Sequence, residues 1–117
     1  MKEITLFENV DMSKSMEEQG INPTMYWAYR NSKEAANELL NFDDVIWDYD
    51  VEPIVKGCKE AGVREFTISS TFSSLIAALA AFEAAGARLE GLTQVHARYT
   101  DWQTGEKANI PAIRMSL

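Results

Sequence analysis

With 117 residues, 46% of them apolar and 25% charged, the chain has the size and composition of one globular domain and needs no disulfide or metal staple to build a core. Eighteen acidic against eleven basic side chains leave a net charge of -7, which argues against free nucleic acid as a partner, because phosphate is held by lysine and arginine. The single cysteine, Cys58, excludes an internal disulfide. The opening MKEITLFENV is not a secretory signal, and no apolar run reaches the roughly 18 residues of a membrane span. The expectation is a cytoplasmic protein with no membrane contact.

The acidity is lopsided. Residues 1–62 hold thirteen Asp/Glu and six Lys/Arg, a net of -7, whereas residues 63–117 hold five of each. Glu34, Glu38, Asp43, Asp44, Asp48, Asp50 and Glu52 follow one another with no basic residue between Glu34 and Glu52. No repeat, low-complexity tract or linker breaks the chain, so residues 1–117 read as one domain.

In chain order, Ile4, Leu6 and Val10 suggest a short strand. Asp11 is a candidate cap for a short helix with Met12 and Met16 that Gly20 stops. Asn22-Pro23 opens a second helix carrying Met25, Trp27, Tyr29, Ala35, Ala36, Leu39 and Leu40, with a break at Asn31 open, since Asn31 and Glu34 have the spacing of a capping box. Phe42 to Tyr49 is an acidic, aromatic connection.

Asp50 is placed to cap a helix from about Val51 to Ala61, with Val51, Ile54, Val55, Cys58 and Ala61 on its apolar face and Gly62 as its left-handed stop. Residues 65–70 read as a strand. Ser70 or Thr71 is the expected cap of the next helix, over residues 72–85, which carries Phe72, Leu75, Ile76, Leu79 and Phe82, is otherwise mostly alanine, and has Glu83 as its one charge. Residues 89–99 and 109–116 form a hairpin about Asp101 and Gly105. Pro111 cannot donate to a ladder, so the last strand is expected at an edge, or with Pro111 turned from its neighbour.

The pattern predicts an α/β or α+β fold: a three-stranded mixed sheet made of a parallel β-α-β pair and a C-terminal antiparallel hairpin, packed with helices, and a helical N-terminal half. The alanine-rich helix has more apolar surface than one small sheet needs. The expected cover is the N-terminal helices, with a homodimer as the alternative to a monomer.

Three groups carry candidate chemistry. Asp43, Asp44, Trp47, Asp48 and Tyr49 combine carboxylates with aromatics, the make-up of a face for a basic protein partner, and Trp102 at the hairpin tip is a candidate anchor. Ser69, Ser70, Thr71, Ser73 and Ser74 lie between a strand and a helix start, where free N–H groups and hydroxyls suit an anion or nucleotide. That loop lacks the glycines of a dinucleotide fingerprint and the lysine of a P-loop, and the nearest arginine, Arg64, lies at the far end of the strand. Arg88 and Arg98 reach it only through the sheet.

Other chemistries fail on residue types. Asp48-Tyr49-Asp50-Val51-Glu52 starts like a calcium loop, but Pro53 stands where the turn needs glycine and Lys59 where the last carboxylate belongs. One histidine, His96, and one cysteine, Cys58, do not make a zinc site; Cys58 reads as a packed thiol and His96 as a solvent-facing or core-rim residue. No catalytic residue and no cofactor is expected. A binding or regulatory module with a protein partner is the preferred reading, and a small-molecule or anion binder, with enzymatic activity left open, is the alternative.

The segments Phe66-Thr67-Ile68-Ser69-Ser70-Thr71-Phe72-Ser73-Ser74, Leu89-Glu90-Gly91-Leu92, Tyr99-Thr100-Asp101-Trp102-Gln103-Thr104-Gly105-Glu106 and Ile110-Pro111-Ala112 resemble a family of small uncharacterised proteins carried by phages and conjugative elements of gram-positive gut bacteria. The resemblance covers roughly residues 45–117. It implies a mobile-element accessory protein and brings no catalytic residues with it.

Overall fold

The computed structural model describes residues 13–16 and 18–117; the strand suggested for the first ten residues and the cap Asp11 lie outside them. Among the described residues the fold is mixed α+β, with three α-helices and a four-stranded mixed sheet. Helix α1 spans Pro23–Glu34, α2 Val51–Ala61 and α3 Leu75–Ala84; the strands are β1 Leu40–Phe42, β2 Glu65–Ile68, β3 Arg88–Thr100 and β4 Lys107–Ser116. A 3₁₀ turn at Asp48–Asp50 leads into α2.

Several ends follow the local chemistry. Asn22 Oδ1 accepts the Met25 N–H, and Pro23 takes the first helical position, where its missing donor costs nothing. Gly62 is left-handed (φ 76°), and the Val63 N–H returns to the Cys58 carbonyl, closing α2. Asp101 Oδ1 accepts the Gln103 N–H in the β3–β4 turn, where Gly105 has φ 74°.

The first helix is shorter than its apolar pattern suggests. It is unbroken at Asn31 but ends at Glu34, because Ala36 turns left-handed (φ 60°). Leu40 therefore lies in a strand. β1 has only three residues, too few for a two-residue alternation to register, and it exists because β2 pairs with it. At the N-terminus of α2, Asp50 is the cap residue without a side-chain capping bond. Helix α3 begins three residues later than expected. Ser74 occupies its cap position without a side-chain bond, so neither Ser70 nor Thr71 is a cap, and Phe72 precedes the helix.

The sheet order β1-β2-β4-β3 corrects the three-strand expectation. The adjacent parallel pair is β1–β2, crossed by α2; β2 and β3 run the same way, but β4 lies between them, antiparallel to both. β4 is therefore central. Its pairing with β2 stops at Ile113, so Pro111 sits where β3 is the only neighbour, opposite Gln94.

One sheet face packs on the helices. Leu40, Phe42, Phe66, Ile68 and Met115 join Ile54, Val55, Cys58, Ala78 and Phe82 in one buried cluster. Phe66 bridges it, with ring centroids 5.5 Å from Phe42 and 5.3 Å from Phe82. Met25 of α1 reaches α2 at Gly57, where a Cβ would stand 2.4 Å from its sulfur. Helix α3 packs chiefly on α2, the 3₁₀ turn and β3 rather than under α1. Ile76, Ala77, Ala80 and Ala84 are exposed, and among the described residues α1 does not cover that side.

The other sheet face rolls onto itself. β1 and β3 are opposite edges of the sheet, yet the segments flanking β1 bond β3 directly. Asn37 Nδ2 donates to the His96 carbonyl (2.9 Å), and the His96 N–H donates to Asn37 Oδ1 (2.8 Å). Asp43 Oδ2 accepts from Arg98 Nε at 2.8 Å. Val95, Ala97 and Ala112 are buried inside the roll. Replacing Asn37→Ala should cost about 1–3 kcal/mol, the price of two lost bonds and an exposed strand edge. Hydrogen exchange at the His96 amide should accelerate more than at Phe66, and a uniform loss of protection would count against a local clasp.

Candidate functional site

Two surfaces gather polar or aromatic chemistry. The first runs from Asp43 to Asp50. Ile46 is fully buried and Val51 nearly so; they fasten the segment to the core and turn the residues between them outward. Trp47 and Tyr49 stand 50% and 72% exposed, with rings parallel to within 5° and centroids 6.4 Å apart, an offset stack. Asp44 and Asp48 are exposed beside them; each uses one carboxylate oxygen on the next N–H in the chain, Val45 and Tyr49 respectively. The Ser70 hydroxyl donates to the Asp44 carbonyl and holds the loop to the end of β2.

Asp43 is different from its neighbours. Its side chain is only 17% exposed, and both oxygens are occupied, Oδ1 by Asn31 Nδ2 and Oδ2 by Arg98. It holds the fold together and does not belong to the outward ridge. Trp27, half exposed on α1, lines a small groove with Asn31, Asp44 and Val45. Trp102 is 87% exposed at the hairpin tip.

The second surface is the rolled face of the sheet. Its register places Asn41, Thr67, Arg114 and Gly91 in one lateral row across all four strands. At the buried end of the row, the Thr67 hydroxyl donates to Asn41 Oδ1 (2.7 Å), and Asn41 Nδ2 donates to Ser69 Oγ (2.9 Å). Ser32 Oγ accepts the Asn41 N–H (2.8 Å) and donates to the Ala28 carbonyl. These buried groups are satisfied, as burial demands. Two clefts open on this face. One of about 390 Å³ is lined by Asn41, Asp43, Ser69 and Arg98 among others. The other, about 370 Å³, includes Asn37, Glu38, Thr67, Thr93 and Arg114.

The family model for a domain of unknown function, DUF7698, matches residues 24–117. The chain belongs to the DUF7698 family. The match takes in nearly all of α1 and everything after it, including both surfaces. No curated protein and no solved structure matches the chain. The expectation of a domain of unknown function holds, over residues 24–117 rather than roughly 45–117.

The hydroxyls of the serine-rich loop of the DUF7698 domain have different surroundings. Ser69 and Ser70 are spent on Asn41 and on the Asp44 carbonyl, Thr71 and Ser73 are exposed, and Ser74 Oγ is buried without a hydrogen-bond partner. Arg98 does approach from the sheet, lining the same cleft as Ser69, but its Nε is bound to Asp43. Sequence reasoning passed over Asn37, Asn41, Thr67 and Arg114. The available signal was Arg114 between Ile113 and Met115, which alternation turns away from the apolar face.

Among the described residues no group of three or more His, Cys, Asp and Glu side chains is placed to hold a metal ion, and no helix is long and apolar enough to cross a membrane. Cys58 is fully buried, and desolvation pushes its thiol up from 9.0 to about 12. The unfolded chain ionises this thiol above about pH 9 while the folded chain keeps it protonated, so stability falls as pH rises through that value, by up to about 1.4 kcal/mol per pH unit. Native protein at pH 8 should resist iodoacetamide, and the alkaline drop in melting temperature should be smaller in Cys58→Ala. Rapid native alkylation would contradict the burial.

Proposed function

We propose that this DUF7698 protein is a non-catalytic binding module that docks a basic segment of a partner protein on the Trp47–Tyr49 ridge. The observation that carries the reading is the exposed aromatic stack flanked by the free carboxylate oxygens of Asp44 and Asp48. Aromatic faces attract Arg and Lys through cation–π contact, adjacent carboxylates add charge-assisted hydrogen bonds, and Trp and Tyr lose little rotamer freedom on burial. The surplus of acidic over basic side chains steers a basic partner towards this half of the chain.

The contact set within this reading is Asp44, Trp47, Asp48 and Tyr49. Asp43 is left to the fold, and Trp102 is a separate anchor on the hairpin. The motif resemblance to phage and conjugative-element proteins supports an accessory, inhibitor-like role inside a bacterial cell, where a cytoplasmic host protein with an arginine- or lysine-rich surface is the natural target.

A photo-crosslinking residue in place of Tyr49, used in cells, should capture a partner through a basic segment identified by mass spectrometry. Capture should fall in Asp44→Lys/Asp48→Lys. With the partner purified, Trp47→Ala should weaken binding by roughly tenfold or more, a hot-spot-sized loss, with little change in melting temperature because the ring is half exposed. Capture undiminished by the charge reversal would exclude this ridge as the docking face.

A further inference from the structure

The central strand carries a guanidinium that the fold does not use. Arg114 lies in β4 with Thr67 of β2 on one side and Gly91 of β3 on the other. Among the described residues its guanidinium has no ion-pair or hydrogen-bond partner. The described arginine that does form an ion pair, Arg98, serves the closure of the roll. Arg114 is exposed, as Arg64 and Arg88 are, but those two sit at or beside strand ends, whereas Arg114 lies between two neighbouring strands and lines the cleft of about 370 Å³.

The space beside it is open by construction. No atom lies within 4 Å of where a Cβ would stand on Gly91, so the position opposite Arg114 in the row is empty. Gly91 also has φ +136°, a conformation that disfavours any larger residue there. Thr93, one step along β3 on the same cleft, brings a hydroxyl. Asn37 and His96, bonded to each other, line the same cleft. Glu38 is the opposing charge on the cleft lining and is exposed.

We propose that this cleft is a binding site for a small oxyanion-bearing ligand, a carboxylate or a phosphate, gripped by Arg114 with the Thr93 hydroxyl as a second donor. The planar fork of the guanidinium suits either oxyanion in a two-point contact. Glu38 sets the selectivity: it repels a second negative charge and favours a ligand whose far end is neutral or cationic. The site is distinct from the Trp47–Tyr49 ridge and does not depend on it.

The test is an amide-resolved NMR titration of the whole chain with inorganic phosphate and, separately, acetate at matched ionic strength. Shifts centred on Gly91, Thr93 and Arg114 are expected, and whichever ion binds more tightly separates the two oxyanion classes. Arg114→Gln should weaken binding by about tenfold, the value of a charge-assisted pair. Glu38→Gln, an exposed change outside the sheet, should tighten phosphate binding and keeps the test decisive if Arg114→Gln folds poorly. Trp47→Ala should leave the titration unchanged. Absence of shifts at Gly91, Thr93 and Arg114, shifts confined to the Ser70–Ser74 amides, or a phosphate affinity that Glu38→Gln leaves unaltered would each overturn the proposal.

Discussion

The double hydrogen bond between the Asn37 side chain and the His96 backbone is the constraint on which the rest of the architecture turns. It joins a segment beside one edge of the sheet to a strand at the other edge, so the sheet must roll. A carboxamide offers one donor and one acceptor at the spacing of a backbone residue, and Asn37 therefore serves the open edge of β3 as a neighbouring strand would. The Asp43–Arg98 ion pair reinforces the same closure. Arg98 is about half exposed, so that pair contributes at most about 1 kcal/mol, and the Asn37 clasp outweighs it.

Rolling gives the two faces of one sheet different chemistry. The outer face meets α2 and α3 and is lined by Phe42, Phe66, Ile68 and Met115. The inner face is closed by the segments that flank β1, through Asn37 and Asp43. It carries Asn41, Thr67 and Ser69, whose hydroxyls and amide satisfy one another, and small residues such as Ala97 and Ala112. The buried polar side chains Asn41 and Thr67 are admissible there because each finds a partner, whereas Arg114, in the same row, is exposed.

The acidic stretch is likewise divided by its surroundings. Asp43 lies at the end of β1, where Asn31 and Arg98 converge on it, and its charge is spent on the fold. One residue further on, Asp44 faces solvent, and the buried Ile46 forces Trp47 outward. A run of like charges in the sequence thus becomes one strut and one outward ridge. The same division affects the serines, of which Ser69 and Ser70 fasten loops while Ser73 meets solvent.

Local chemistry in the sequence determined the Asn22-Pro23 opening of α1, the Gly62 stop of α2, the hairpin turn at Asp101 and Gly105, and the buried face of α2. In each case the signal and its effect lie within a few residues, so no distant partner is needed. Only the tertiary structure decided that Leu40–Phe42 is a strand, that β4 enters between β2 and β3, and that α3 starts at Leu75. Those outcomes depend on pairing between segments more than twenty residues apart, which a three-residue strand or a run of hydroxyl residues does not encode locally. The aromatic ridge was legible because composition marks it. The Arg114 row was not, because Asn41, Thr67, Gly91 and Arg114 share a line only once four strands are in register.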